Sequence, residues 1–160
     1  MIAAATPGAV LLMRHATAPG TGDPANLRLG DCTTQRNLSD AGRAEARAIG
    51  ARLRDAGIRV DRVLHSEWCR TAETARLLDL GPLMPFPAAN SFFADRSAAG
   101  RQTAEVLAYL GDLPKDARVL IVTHQVNITA LTGVVPRSGE IVIARRSADG
   151  LVVLDRLPPE

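Results

Sequence analysis

Aromatic side chains are scarce in this chain. One Trp, one Tyr and three Phe in 160 residues are too few to build the stacking platforms that hold single-stranded nucleic acid. An excess of one charge is missing too: 19 basic and 17 acidic side chains leave a net charge of +2. They are scattered, with no Lys/Arg run of the kind that coats a polyanion, so no nucleic-acid partner is indicated, although a locally basic pocket is compatible with this balance. No stretch approaches the roughly 18 consecutive apolar residues of a membrane helix, so membrane insertion is not expected. The opening segment, residues 1–9, lacks the basic start of a signal peptide. Cysteine is nearly absent. Cys32 and Cys69 are too few and too far apart for a zinc knuckle, which leaves open two unrelated thiols or a single disulfide. Internal repeats and low-complexity tracts are also lacking. With 46% hydrophobic residues in 160, one domain over residues 1–160 with a single active site is expected.

What is present alternates between strand and helix signals. Residues 9–13 (AVLLM) form a continuous apolar run behind Pro7-Gly8, the mark of a strand covered on both faces. Arg14 and His15 stand at its C-terminal end. Residues 16–37 are rich in Gly, Pro, Thr, Asp and Asn, a long polar loop of the kind that is functional when it occurs in a compact domain, here as one wall of a substrate site. Ser39 caps a helix over residues 40–56, with Ala41, Ala44, Ala48, Ile49 and Leu53 at helical spacing and Gly57 closing it. A strand over 59–64 and a helix over 68–78 follow, and the Pro-rich residues 81–87 read as a connection rather than an element. Next come a helix over 98–110, a buried strand over 118–122 ending at Thr123-His124, and a helix over 127–132. Residues 140–144 and 151–154 flank Asp149-Gly150 as an antiparallel hairpin. The expected fold is a three-layer α/β/α sandwich with a mostly parallel sheet and an antiparallel C-terminal hairpin.

Ligands of open α/β sheets bind beyond the C-terminal strand edges, and three predicted strands end in LMRH, VLHSEWCR and VTH. That brings Arg14, His15, Arg70 and His124 to one edge. Guanidinium forks and helix N-termini suit a phosphate dianion, and an imidazole can hold a phosphoryl group as a covalent intermediate. An alkoxide leaving group also needs a carboxylic acid nearby. Taken singly, His15 or His124 is more often a hydrogen-bonded structural residue, and Arg70 a surface residue at a helix start. The joint placement carries the reading. A metal site from His15, His65, His124 and nearby Asp residues has no close ligand spacing to support it.

Residues 12–16 (LMRHA), 66–75 (SEWCRTAETA) and 122–124 (VTH), with 38–42 (LSDAG) between them, resemble the histidine phosphatase superfamily, the phosphoglycerate-mutase-like fold. The resemblance spans nearly the whole chain. It implies that His15 is the nucleophile, that Arg14, Arg70, His15 and His124 hold phosphate, and that no metal or organic cofactor is needed. The family's Gly after the nucleophile is Ala16 here, and the Glu-Thr that follows in many mutases is Thr17-Ala18. The mutase acid has Asp95 as its nearest counterpart, a residue that also reads as a loop acid or helix cap, with Glu67 as a substitute. The expectation is a metal-independent phosphomonoester hydrolase of the small bacterial branch, with His15, His124 and Asp95 catalytic. A phosphate-binding or regulatory module without turnover and a mutase are the alternatives. Its substrate would be a phosphorylated small molecule, a sugar phosphate or a phosphohistidine protein. Residues 31–39 (DCTTQRNLS) resemble the exported lipopolysaccharide heptose-phosphate phosphatases. By that likeness, an export signal upstream of Met1 would make the protein periplasmic and let Cys32 and Cys69 pair over the pocket. The chain as it stands reads as cytoplasmic with reduced thiols.

Overall fold

The structure is a computed structural model that describes all 160 residues. Its strands are β1 (Val10–Arg14), β2 (Arg62–His65), β3 (Leu83–Pro85), β4 (Val119–Thr123), β5 (Ile141–Ser147) and β6 (Gly150–Leu157). The helices are α1 (Ile2–Ala5), α2 (Asp40–Asp55), α3 (Cys69–Leu78), α4 (Ala99–Gly111) and α5 (Gln125–Thr132). One sheet runs in the order β3-β2-β4-β1-β5-β6. The first four strands of that order are parallel, β5 pairs antiparallel with β1, and β6 pairs antiparallel with β5.

Successive side chains of a strand point to opposite faces, and the two central strands are apolar up to their last residues, Arg14 and Thr123, so each face gains a core. Leu11, Met13, Leu120 and Val122 pack with Ile49 and Leu53 of α2 and Ala75 and Leu78 of α3. Their neighbours Val10, Leu12, Val119 and Ile121 pack with Val106 and Leu110 of α4 and Ile128 of α5. Helices therefore cover both faces, and the three-layer mixed sheet with its antiparallel hairpin has the expected architecture.

Three expectations need correction. Residues 81–87 contain a strand, β3, paired with β2. Its Pro85 is tolerated because β3 is the sheet edge, where a missing N–H costs no ladder bond. The hairpin extends beyond residues 140–144 and 151–154, to Ser147 and Leu157, with a register shift at Ile143/Ala144 that bends it. The buried face of α2 is Gly42, Ala46, Ile49, Gly50 and Leu53 rather than one including Ala41, Ala44 and Ala48. Its two glycines decide this rotation. A Cβ on Gly42 would collide with the Thr17 carbonyl, and one on Gly50 with the Leu78 carbonyl, so the helix lies directly against backbone at both points. Ser39 caps α2 as expected, accepting from the Gly42 N–H at 3.0 Å.

In a solvent-facing helix Gly→Ala stabilises by about 1 kcal/mol. Gly50→Ala is expected to have the opposite sign, costing about 1–3 kcal/mol through overpacking. Urea unfolding checks this, and a variant as stable as the parent would show that α2 can move away from α3.

Candidate active site

The C-terminal ends of β1, β2 and β4 open into one cavity lined by Arg14, His15, Asp23, Arg36, Arg70 and His124, together with loop residues 20–22 and the first turn of α5. The backbone that presents His15 is fixed from both sides. The His15 N–H donates to the Thr123 carbonyl at 3.1 Å, and the Gly139 N–H reaches the Arg14 and His15 carbonyls, each at 3.1 Å. The next residue, Ala16, donates its N–H to Thr74 Oγ1 at 3.1 Å. Its methyl is buried with Ala18, Leu38, Ala46 and Leu77. The side chain that departs from the family's glycine thus packs into a small core beneath the site. Thr17 turns away to bond Glu45.

His15 Nδ1 lies 2.8 Å from the Ala16 carbonyl oxygen. A carbonyl only accepts, so Nδ1 carries the proton and Nε2 holds the lone pair. That Nε2 accepts from Arg70 Nε at 3.2 Å. Burial, with only 2% of the residue exposed, pushes the His15 pKa down to about 3; the positive charges of Arg70, Arg14 and Arg36 add to the effect, and the Ala16 hydrogen bond opposes it. His124 is likewise held well below the usual histidine range, first by burial and then by His15 and the same arginines. Both imidazoles are neutral around pH 7. His124 Nε2 bonds Ser66 Oγ at 2.7 Å, and Ser66 Oγ in turn bonds Thr71 Oγ1 at 2.8 Å. The His124 Nδ1 has no protein partner. The two rings stand edge to face, 5.6 Å apart.

The arginines are held differently. Arg14 donates to the Pro136 carbonyl at 3.0 Å. Arg36 Nε donates to the Gly22 carbonyl at 2.7 Å and its Nη1 to the Ala18 carbonyl. Arg70 sits in the first turn of α3, 3% exposed, with both terminal nitrogens on Asp23, at 2.8 and 3.1 Å. Residues 16–37, which carry Asp23 and Arg36, are tied to the start of α3 by a Cys32–Cys69 disulfide. Beside it, Gln35 Oε1 accepts from the Cys69 N–H at 2.9 Å.

His15, Arg14, Arg70 and His124 therefore converge as the strand ends suggest, and Asp95 does not join them. Its carboxylate accepts from the Ser97 N–H and hydroxyl, capping the short 3-10 turn Arg96–Ala98, and it is not among the cavity-lining residues. Glu67 pairs with Asn90 through two hydrogen bonds, also away from the cavity. His65 ends β2 with Nδ1 on the Ser66 carbonyl and is not among the cavity-lining residues. Sequence reasoning missed Asp23, Arg36 and Ser66. The first two lie in a loop whose path no periodicity specifies, and their residue types alone gave no signal. Ser66 opens the segment SEWCRTAETA, and only the fold brings it to His124.

The family model describing branch 1 of the histidine phosphatase superfamily matches residues 10–88, from β1 through His15 and Arg70 to the turn after β3. Over these residues the chain matches the histidine phosphatase superfamily. Solved superfamily structures carry the same fold over nearly the whole length. The protein histidine phosphatase SixA, complexed with tungstate, aligns with a TM-score of 0.68 at 19% identity, over 94% of this chain and 97% of that one. An α-ribazole-5′-P phosphatase described as putative, from Escherichia coli, aligns with a TM-score of 0.68 at 17% identity, over 92% and 95% of the two chains. In sequence, the mitochondrial serine/threonine-protein phosphatase Pgam5 of Drosophila virilis is 35% identical over 69 residues, 43% of this chain and 21% of that protein. The match thus spans about a fifth of the curated relative's length.

Two measurements check the site. A histidine with a depressed folded pKa binds fewer protons folded than unfolded, so the stability it contributes is present above about pH 6.5 and is lost as pH falls toward its folded value. The loss is about 1.4 kcal/mol per pH unit for each such group. The thermal midpoint should fall between pH 6.5 and 4, and His15→Asn should flatten that slope; parallel profiles would mean that His15 titrates freely. Replacing both Cys32 and Cys69 with serine should cost roughly 2–4 kcal/mol by loop-closure entropy, read by guanidinium unfolding.

Proposed function

We propose that this superfamily member is a metal-independent phosphatase that takes the phosphoryl group of its substrate onto His15 Nε2 and then transfers it to water. The observation that carries this reading is the Ala16 carbonyl on His15 Nδ1, which leaves the Nε2 lone pair as the nucleophile. The depressed pKa keeps that lone pair unprotonated across the physiological range. Arg14, Arg36 and Arg70 supply fixed positive charge where the equatorial oxygens of a transferring phosphoryl group would lie, and charge fixed in advance costs no reorganisation in the transition state. If Ser66 donates to His124 Nε2, then His124 Nδ1–H is free to donate to a phosphoryl oxygen.

Asp95, the acid expected from the sequence, caps a turn outside the cavity, and the carboxylate that does line it, Asp23, is held below the usual range among hydrogen-bond donors. This favours leaving groups that need little protonation, such as a phosphorylated imidazole, an acyl phosphate or an aryl phosphate, over alkyl phosphates. It also argues against a mutase, which must expel an alkoxide. The names of the relatives, a protein histidine phosphatase among them, are compatible with a phosphohistidine protein as substrate. The disulfide suits an oxidising compartment.

A phosphate-binding module without turnover is the second reading, favoured by the occupied fork of Arg70. Steady release of phosphate from p-nitrophenyl phosphate separates the two. His15→Ala should abolish release with the fold retained by circular dichroism, and Arg70→Ala should lower kcat/KM by the equivalent of about 2–4 kcal/mol. Release that survives His15→Ala would overturn the nucleophile, and none from the parent chain would favour the binding module.

A further inference from the structure

The phosphate fork of Arg70 is already filled by the protein itself. Asp23 presents its two carboxylate oxygens to the two terminal nitrogens of Arg70, Oδ1 at 2.8 Å and Oδ2 at 3.1 Å. This is the parallel two-point pairing with which a guanidinium holds carboxylate and phosphate alike. Two further donors complete the seat. The Arg36 N–H reaches Oδ1 at 3.2 Å, and the Trp68 indole N–H reaches Oδ2 at 3.1 Å. Four donors thus converge on one small anion in a cavity that also holds Arg14, His15 and His124. The remaining nitrogen of the same guanidinium, Nε, occupies the His15 lone pair. Both groups that the reaction needs free are engaged by one another or by Asp23.

We infer that Asp23 is an internal competitor for the phosphoryl site, an autoinhibitory carboxylate that a dianionic phosphoryl group must displace. This rests on the phosphatase reading above, since it takes the Arg70 fork as the place of the phosphate. Three arginines line the cavity against a single carboxylate, so a doubly charged phosphoryl group offsets more of that charge than the singly charged Asp23. A ligand with only one negative charge, such as a carboxylate metabolite, gains no such margin. The competitor therefore filters ligands by charge as well as restraining turnover. The backbone around it suits an exchange: Gly20 and Gly22, with φ of 97° and 69°, lie just before Asp23 and can turn without a side-chain penalty. The far end of the loop stays anchored through Cys32 to Cys69, so release of Asp23 need not carry Arg36 away.

The sole tryptophan of the chain, Trp68, touches the competitor and so reports its departure. The test is a fluorescence titration of the full chain with inorganic phosphate, comparing the parent with Asp23→Asn and with the Asp23→Asn/Arg70→Ala double variant. Asparagine keeps the shape and one acceptor while removing the charge, and thermal melting verifies that each variant is folded. The expected result is a saturable change of Trp68 emission in the parent and binding of phosphate at least tenfold tighter in Asp23→Asn, with the gain lost in the double variant. Acetate should compete measurably only in Asp23→Asn. Equal or weaker phosphate binding by Asp23→Asn, with the parent still binding, would overturn the competitor and make Asp23 a residue that positions Arg70. Loss of p-nitrophenyl phosphate turnover in Asp23→Asn without tighter binding would overturn it in favour of a catalytic carboxylate. No phosphate binding by either protein would remove the phosphatase reading and this inference together.

Discussion

Gathering Arg14, Arg36 and Arg70 around two buried imidazoles is the electrostatic constraint on which the rest of the site depends. Positive charge held out of water is costly, and the protein relieves the cost in two ways. Both histidines stay neutral, so they add nothing to the charge. Arg70, the most buried of the three arginines, is paired with Asp23. The first arrangement leaves an unprotonated Nε2 beside a guanidinium. The second leaves an anion site that is full at rest. In the proposed phosphatase, an incoming phosphoryl dianion replaces a weaker partner in this cluster.

The scaffold keeps these groups in register by using backbone where side chains would be too mobile. Arg14 and His15 are gripped through their carbonyls by Gly139 and through the His15 N–H by β4. α2 lies on bare backbone at Gly42 and Gly50, which brings its first turn against Thr17 and closes the small core that buries the Ala16 methyl. The departure at Ala16 from the glycine of the resembling family is therefore absorbed below the site, and the carbonyl of the same residue orients the His15 ring.

Much of this was legible in the sequence where local patterns decide the outcome. AVLLM and RVLIV read as buried strands, which the sheet contains as β1 and β4, and the strand ends bearing RH and TH lie at the cavity edge. Boundaries blurred where tertiary packing wins over periodicity. Residues 81–87 carry Gly and Pro yet contain the edge strand Leu83–Pro85, and the buried face of α2 is chosen by two glycines that a hydrophobic pattern ignores. Asp95 is the carboxylate nearest the position that the resemblance implies for the acid and also reads as a cap, and the structure shows it capping the turn Arg96–Ala98. Asp23 and Arg36 were invisible as site residues because the loop of residues 16–37 owes its course to side-chain hydrogen bonds and one disulfide. Both are long-range facts that no spacing encodes.

The proposed attack by His15 through Nε2 can be read from the linkage isomer of the trapped intermediate. Brief exposure to an aryl phosphate, quenching in alkaline denaturant and 31P NMR of the unfolded chain distinguish phosphorus on Nε2 from phosphorus on Nδ1. Attack through Nε2 leaves an acid-labile, base-stable phosphoryl group on Nε2 of His15. A phosphoryl group on His15 Nδ1, on His124 or on any oxygen would contradict it.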